Sequence, residues 1–123
     1  MLYDSDVIID ILRGRGPIIT AARALEAKGI PTYCTPVSQA EVFAGIRPGE
    51  ETEAEAFFES RIDTGIDASI GRQAGSYLAG FARSHGVELG DALIAAATTV
   101  FGLRLWTRNR KHYPMPGLRF YDV

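Results

Sequence analysis

The sequence predicts an α/β sandwich with a mainly parallel central sheet. Short apolar segments typical of buried strands alternate with longer segments of helical periodicity, in the order strand, helices, strand, helices, strand. In such an order each strand is followed by helices that cross back over the sheet, which favours parallel strands with helices packed on them. The predicted strands cover residues 2–4, 30–35, 103–107 and 118–123.

Prolines at helix starts and glycines at helix ends divide the intervening sequence into six predicted helices. They cover residues 7–14, 17–29, 36–46, 50–61, 68–86 and 89–102. The second helix carries an apolar stripe formed by Ile18, Ala21, Ala22 and Leu25. The stripe of the third comprises Val37, Ala40, Glu41 and Ala44. We therefore expect Glu41 on a buried face, where a carboxylate is costly unless a charged group meets it.

Composition indicates one globular domain covering residues 1–123, with 46% hydrophobic and 23% charged residues. Cys34 is the single cysteine, which excludes an internal disulfide or a cysteine zinc site, and we expect it to be buried. No leader or long apolar segment is evident, so we expect a cytoplasmic protein that does not enter membranes. The net charge of -2 argues against a general nucleic-acid binder. Because acids crowd the middle and arginines the end, a local basic surface is still expected.

Several polar side chains follow predicted strands or begin predicted helices. Asp4 ends the first strand, Asp91 lies in the first turn of the last helix, and Thr107 and Asn109 follow the third strand. Ligands of parallel sheets bind where the carboxyl ends of strands meet helix starts, so these residues and Glu41 are expected in one place. Carboxylates gathered without basic partners suit a hard divalent cation such as Mg²⁺ and chemistry on phosphates.

Purely structural roles compete with this interpretation. Asp4, Ser5 and Asp6 suit the amino end of the first helix, and Asp91 is a common type of helix cap. Asn109 suits a turn. We expect Asp10 to be solvated, and we expect the two histidines, His85 and His112, to be surface or packing residues.

Four motifs in this order and spacing resemble the PIN-domain proteins and, within them, the VapC toxins of toxin–antitoxin pairs. The motifs are "YDSDVIIDILRG", "TPVSQAEVFAGIR", "LGDALIAAAT" and "LRLWTRNRKHYP", and the resemblance spans nearly the whole chain. It implies a three-layer α/β/α sandwich and a Mg²⁺- or Mn²⁺-dependent endoribonuclease. It also implies neutralisation by a cognate VapB-like antitoxin and a homodimeric state.

By position, the resemblance places the catalytic and metal-binding acids at Asp4, Glu41 and Asp91. The fourth acid of the family falls on Asn109, whose amide is a weaker ligand and adds no negative charge. Where many relatives have an aspartate before the aromatic residue, this chain has His112. We expect Asp6 to supply the missing charge.

The remaining predicted site residues would support the acids or bind the substrate. Ser5 and Thr107 are candidates to orient a carboxylate or a bound water. Basic side chains near the two ends of the chain are candidates to hold RNA phosphates; they are Arg13, Arg108, Arg110 and Lys111. Because A-form RNA hides its bases, an unpaired loop of a structured RNA such as tRNA or ribosomal RNA is the expected target.

Two other functions compete with this one. "YDSDV" also fits a phosphatase in which Asp4 is a nucleophile and Asp6 an acid/base, but that chemistry needs a lysine and a later acidic pair. Asn109 is compatible with a catalytically weak module that binds RNA or an antitoxin.

We also expect surplus aromatic side chains to form a dimer surface and an antitoxin groove; the candidates are Phe43, Phe57, Phe58, Tyr77 and Phe81.

Overall fold

A sheet of four short parallel strands forms the centre of the computed structural model, which describes residues 1–122. The strands are β1 (Leu2–Tyr3), β2 (Tyr33–Cys34), β3 (Ile62–Asp63) and β4 (Leu105–Trp106). Their order across the sheet is β3-β2-β1-β4, so β1 is an inner strand. The predicted parallel arrangement is confirmed.

Six α-helices lie within the described residues. They are α1 (Ser5–Leu12), α2 (Gly16–Ala27), α3 (Pro36–Ala44), α4 (Glu51–Glu59), α5 (Ala68–His85) and α6 (Leu89–Val100). A short 3-10 turn follows at Arg110–His112. Across residues 1–122, none of these helices combines the length and hydropathy that crossing a bilayer requires.

Neighbouring side chains of β1 and β4 point to opposite faces of the sheet and join two separate cores. Leu2 and Leu105 belong to a core shared with α5 and α6. Tyr3, Cys34 and Trp106 belong to a core shared with α1, α2, α3 and α4. Helices thus cover both faces of the sheet, so β1 and β4 are apolar on both sides, whereas the edge strand β3 is exposed. The three-layer sandwich is confirmed.

The connection between α5 and α6 places the start of α6 beside the sheet. Gly86 ends α5 with a φ of 66°, a left-handed conformation that glycine adopts without strain. The small residues of α6 are buried along almost its whole length, including Ala92, Ala95, Ala96 and Ala97. Their small size permits close packing against α5, and the amino end of α6 then lies near the carboxyl end of the sheet.

The predicted strands differ from the observed ones at the edges of the sheet. The second is limited to Tyr33–Cys34, and β3 was missed because Ile62 and Asp63 are both exposed and show no apolar alternation. The last predicted strand, 118–123, is reduced to one parallel bridge between Leu105 and Phe120. Its final residue lies outside the described residues.

The expectation of surplus aromatic surface is wrong for three of the five residues. Phe57, Phe58 and Tyr77 are buried, and Phe43 and Phe81 are partly buried against the same cores. Phe57 and Phe58 pack with their ring centroids 5.6 Å apart. The aromatic residues of the helices therefore fill the core of this small domain.

The buried thiol of Cys34 provides a test of the packing around β2. Burial, and secondly the Asp63 carboxylate, raise the pKa of this thiol from its ordinary value of 9.0 to about 12. A shift of that size lowers the reactive thiolate fraction about a thousandfold at pH 8. We expect native protein to react with a disulfide reagent at least about a hundredfold more slowly than urea-unfolded protein. Rapid labelling without urea would contradict the packing, and Cys34→Ala gives the background.

Candidate active site

Asp4 directly follows β1 and is the most heavily bonded acid at this edge of the sheet. One carboxylate oxygen accepts from the backbone N–H of Ser5 at 2.8 Å, which makes Asp4 the N-cap of α1. The other accepts from the Thr107 hydroxyl at 2.8 Å and the Tyr113 hydroxyl at 2.9 Å. Burial and the neighbouring Asp4 charge raise the pKa of Tyr113, so its hydroxyl stays protonated and donates. Asp4 is therefore both a helix cap and part of this cluster, and Thr107 donates a hydrogen bond to the carboxylate that it was predicted to orient.

Glu41 reaches the same place from α3, but the expectation that it lies on a buried face is wrong. Glu41 is exposed, and the buried residues of α3 are Ser38 and Val42. The Ser5 hydroxyl donates to the Glu41 carboxylate at 2.8 Å and lies 3.0 Å from the Ser38 hydroxyl. The hydroxyl groups of Ser5 and Ser38 thus lie between α1 and α3. The Glu41 side chain extends beyond them into an open cavity.

Asp91 is in the first turn of α6, where the helix dipole favours its negative charge. Burial is nevertheless the largest influence and raises the pKa of this carboxyl; Asp4 also raises it, while the Glu88 N–H and His112 lower it. The Glu88 N–H lies 3.4 Å from one Asp91 oxygen, and His112 Nδ1 lies 3.8 Å from the other. The negative charge of Asp4 therefore acts on the Asp91 carboxyl group.

Asp6 adds a further carboxylate from the first turn of α1. Burial and the nearby Asp4 charge raise the pKa of Asp6 to about 6. One of its oxygens accepts from the Arg108 backbone N–H at 3.1 Å, whereas the other is buried without a hydrogen-bond partner. An unpaired buried carboxylate oxygen is costly, and a bound cation would relieve that cost.

The turn after β4 contributes an amide and an imidazole. The Asn109 backbone N–H donates to the Thr107 hydroxyl at 3.0 Å, and the Asn109 side-chain amide lies 3.1 Å from His112 Nε2. His112 is exposed, as expected of a surface residue, and its Nδ1 also lies 3.8 Å from an Asp91 carboxylate oxygen. Asn109, which stands where the family resemblance places a fourth acid, therefore also contacts His112.

These side chains line one open cavity of about 420 Å³. Its lining residues are Asp4, Ser5, Asp6, Ile9, Glu41, Gly86, Glu88, Asp91, Asn109 and His112. Glu88 is not among the residues predicted from sequence, although it precedes Asp91 by three residues in the pattern of a helix-capping pair. Tyr113 is not among them either, because its contact with Asp4 spans 109 residues of sequence and has no local signal.

The donor set of the cavity fits a hard divalent cation. Five carboxylate side chains line the cavity, and no lysine or arginine does. Within residues 1–122, however, no three histidine, cysteine or acidic side chains are arranged as a complete ligand set. This arrangement suits Mg²⁺, which keeps several waters and takes one or two carboxylates directly. Asp4 and Asp91 are the residues that would hold it, with Glu41 and Asp6 acting directly or through water.

The four predicted phosphate-binding residues have different environments. Arg13 ends α1 and lies exposed, and Lys111 is exposed in the 3-10 turn. Arg110 forms an ion pair with Asp122 and lies over the Phe120 ring, with its guanidinium carbon 4.7 Å from the ring centroid. Arg108 forms an ion pair with a buried acid of α1. Lys111 and Arg13 are therefore the less constrained cations.

Comparison with known protein families identifies the class to which this fold and acidic cavity belong. The sequence matches the PIN domain family over residues 1–118. The chain therefore belongs to the PIN domain family.

A ribonuclease is among the proteins that this chain resembles in sequence. The chain is 38% identical over 120 residues to Ribonuclease VapC10 of Mycobacterium tuberculosis, an alignment that covers 94% of this chain and 86% of the relative. Two solved structures share the fold. A toxin–antitoxin complex from Klebsiella pneumoniae is 24% identical with a TM-score of 0.77, covering 99% of this chain and 98% of that one. DNA-bound VapBC from Salmonella typhimurium is 18% identical with a TM-score of 0.80, covering 98% and 96%.

Melting curves test whether the acids form a cation site. Mg²⁺ at ten times its dissociation constant should stabilise the folded protein by about 1.4 kcal/mol and raise Tm by several degrees. Asp91→Asn should remove this response. In EDTA the variant should melt higher than wild type, because the substitution removes a partly buried charge that Asp4 repels.

Glu55→Gln is the matched control for charge removal, because Glu55 is exposed on α4 and does not line the cavity. It should melt and respond to Mg²⁺ as wild type does. If Asp91→Asn melted lower than wild type in EDTA and still responded to Mg²⁺, Asp91 would be a helix cap only.

Proposed function

We propose that this protein is a Mg²⁺- or Mn²⁺-dependent endoribonuclease toxin of the VapC type. Its substrate would be a structured RNA such as tRNA or ribosomal RNA, cut at a phosphodiester bond in an unpaired loop. The observation that carries the proposal is the convergence of Asp4, Asp6, Glu41 and Asp91 on one open cavity at the carboxyl end of the sheet. The 38% identity to a ribonuclease of the same family supports it.

The roles of the residues follow from their contacts. A divalent cation held by Asp4 and Asp91 would supply an activated water and would stabilise negative charge on the phosphoryl oxygens. Asp4 and Asp91 are the catalytic metal-binding acids, and Glu41 is the third. The Ser5 hydroxyl holds Glu41 and the Thr107 hydroxyl holds Asp4, so each orients a carboxylate and neither needs to act as a nucleophile. Asp6 and Asn109 complete the set.

The phosphatase alternative fits the structure poorly. That chemistry needs a lysine beside the aspartate nucleophile. Lys28 lies at the far end of α2 and Lys111 does not line the cavity, so no lysine is in place.

The remaining alternative is a catalytically weak PIN-fold module that binds RNA or an antitoxin. Asn109 and His112 favour it, because an amide and an imidazole occupy positions where the family pattern has acids. Asp6 argues against it, since its unpaired oxygen restores a carboxylate to the cavity. A cleavage assay with and without chelator separates the two functions.

We further propose that residues 1–123 form a single cytoplasmic domain that acts as a homodimer and is neutralised by a cognate VapB-like antitoxin. The acidic cavity favours an antitoxin that inserts a basic side chain among the carboxylates. Large apolar side chains that remain exposed are candidates for subunit contacts; they are Ile62, Ile66, Leu89, Val100 and Phe101. These exposed side chains, in place of the buried aromatic residues of the helices, are therefore the candidates for the dimer surface.

Cleavage of a structured RNA tests the proposed activity. Wild-type protein should cleave in Mg²⁺ or Mn²⁺, and Asp4→Asn or Asp91→Asn should lower the rate at least about a hundredfold, because an amide cannot replace a charged ligand. Glu55→Gln should cleave normally. Undiminished cleavage by either site variant, or by wild type in excess EDTA, would exclude the proposed mechanism. Metal-independent RNA binding without cleavage would favour the non-catalytic module.

Light scattering tests the proposed homodimer. We expect the mass of two chains at high micromolar concentration, because the exposed apolar side chains would be covered by a second subunit. Phe101→Ser should shift the equilibrium toward single chains, whereas Glu55→Gln should not. A strictly monomeric wild-type chain at these concentrations would refute the dimer without affecting the proposed activity.

A further inference from the structure

A buried acid outside the cavity joins two arginines that are distant in sequence. Asp10 is only 7% exposed, so the expectation that it is solvated is wrong. One of its oxygens accepts from Arg108 Nη1, and the other lies 3.3 Å from Arg15 Nε. The carboxylate thus ties the end of β4 to the start of α2, and both guanidinium groups are held at one point of the surface.

Each of these arginines keeps donors that face solvent. The Arg15 side chain is 59% exposed and that of Arg108 is 44% exposed. A guanidinium group has five N–H donors, and the contact with Asp10 uses one from each residue. The cluster has two positive charges and one negative charge, and the amino end of α2, which begins at Gly16, adds the positive end of a helix dipole. The cluster therefore attracts anions.

The cluster is also fixed relative to the acidic cavity. The Arg108 backbone N–H donates to Asp6 at 3.1 Å, and the preceding residue, Thr107, donates its hydroxyl to Asp4 at 2.8 Å. Asp6 and Asp10 are one turn apart on α1. Arg108 is consequently held in the turn beside the carboxylates, and Asp10 of the same helix α1 holds Arg15 near it.

We propose that Asp10 is a positioning residue that holds Arg15 and Arg108 as a clamp for a backbone phosphate of RNA, adjacent to the phosphate that is cleaved. The inference rests on the proposed function and specifies how its substrate is held. Five carboxylates in the cavity repel an RNA strand, so flanking phosphates need a cationic contact of defined geometry. Planar guanidinium groups bind phosphate oxygens in pairs, provided that their orientation is fixed. Asp10 supplies that orientation.

RNA binding measured in EDTA tests the clamp separately from catalysis. Fluorescence anisotropy would follow a labelled, unpaired oligoribonucleotide with wild type, Asp10→Asn and Arg108→Lys. Asp10→Asn makes the protein more positive, so electrostatics alone predicts tighter binding. The clamp predicts the opposite, a roughly tenfold rise in Kd, and a similar rise for Arg108→Lys, which keeps its charge but loses the planar fork. The negative slope of log affinity against log salt concentration should become shallower by about 0.7, because one phosphate contact is lost.

Arg72→Lys is the matched control, because Arg72 is exposed on α5, and it should bind as wild type does. Equal or tighter binding by folded Asp10→Asn would overturn the clamp. If circular dichroism showed that Asp10→Asn does not fold, Arg15→Lys and Arg108→Lys would decide the question, and unchanged binding by both would overturn it.

Cleavage kinetics in Mn²⁺ supply a second readout. For Arg108→Lys we expect KM to rise several-fold with kcat within about twofold of wild type, because a contact to a flanking phosphate binds ground state and transition state alike. A fall in kcat with unchanged KM would overturn the clamp. If wild type bound RNA with the predicted losses in the variants but never cleaved it, the proposed activity would be rejected and the clamp retained.

Discussion

The carboxylate of Asp4 is the contact on which the rest of this structure depends. It joins the end of the inner strand β1 to the first turn of α1, and it accepts hydrogen bonds from the hydroxyl groups of Thr107 and Tyr113, which follow the neighbouring strand β4. These contacts satisfy a buried charge at both oxygens, which is the condition for keeping such a group inside a protein. The same contacts hold three separate segments of chain at the edge where the acids meet.

The acids themselves oppose this arrangement. Asp6 and Asp91 each have a raised pKa because burial and the charge of Asp4 disfavour their ionised forms. The protein therefore holds negative charge in a place where it is unfavourable without a counter-ion, as active sites commonly do. Positive charge lies close to this acidic cavity. Asp10, one helical turn from Asp6, pairs with two arginines. Asp6 and Asp10, on adjacent turns of α1, thus belong to the acidic cavity and to an arginine pair, respectively.

Much of the fold could be predicted from local signals. Proline and glycine marked the helix ends, the stripe containing Ala22 and Leu25 is the buried face of α2, and Asp4 follows an apolar strand as expected. Prediction failed where burial depends on a distant partner. Glu41 shares a helical stripe with apolar residues yet is exposed, because α3 turns Ser38 and Val42 toward the core. Asp10 looks like a surface residue, yet Arg108, 98 positions away, permits its burial.

Local sequence signals were sufficient to predict the class of fold, the position of Asp4 at the end of a strand and that of Asp91 in the first turn of a helix. Each of these features depends on residues that are neighbours in the chain. Tertiary structure alone decided which side chains share the cavity and which charges are paired. Glu88 and His112 join the site, and Tyr113 supports it, because separate elements pack against one another. Arg108 faces Asp10 for the same reason. Hydrogen bonds and ion pairs act over a few ångströms of space, whatever the separation along the chain, so these contacts have no local sequence signal.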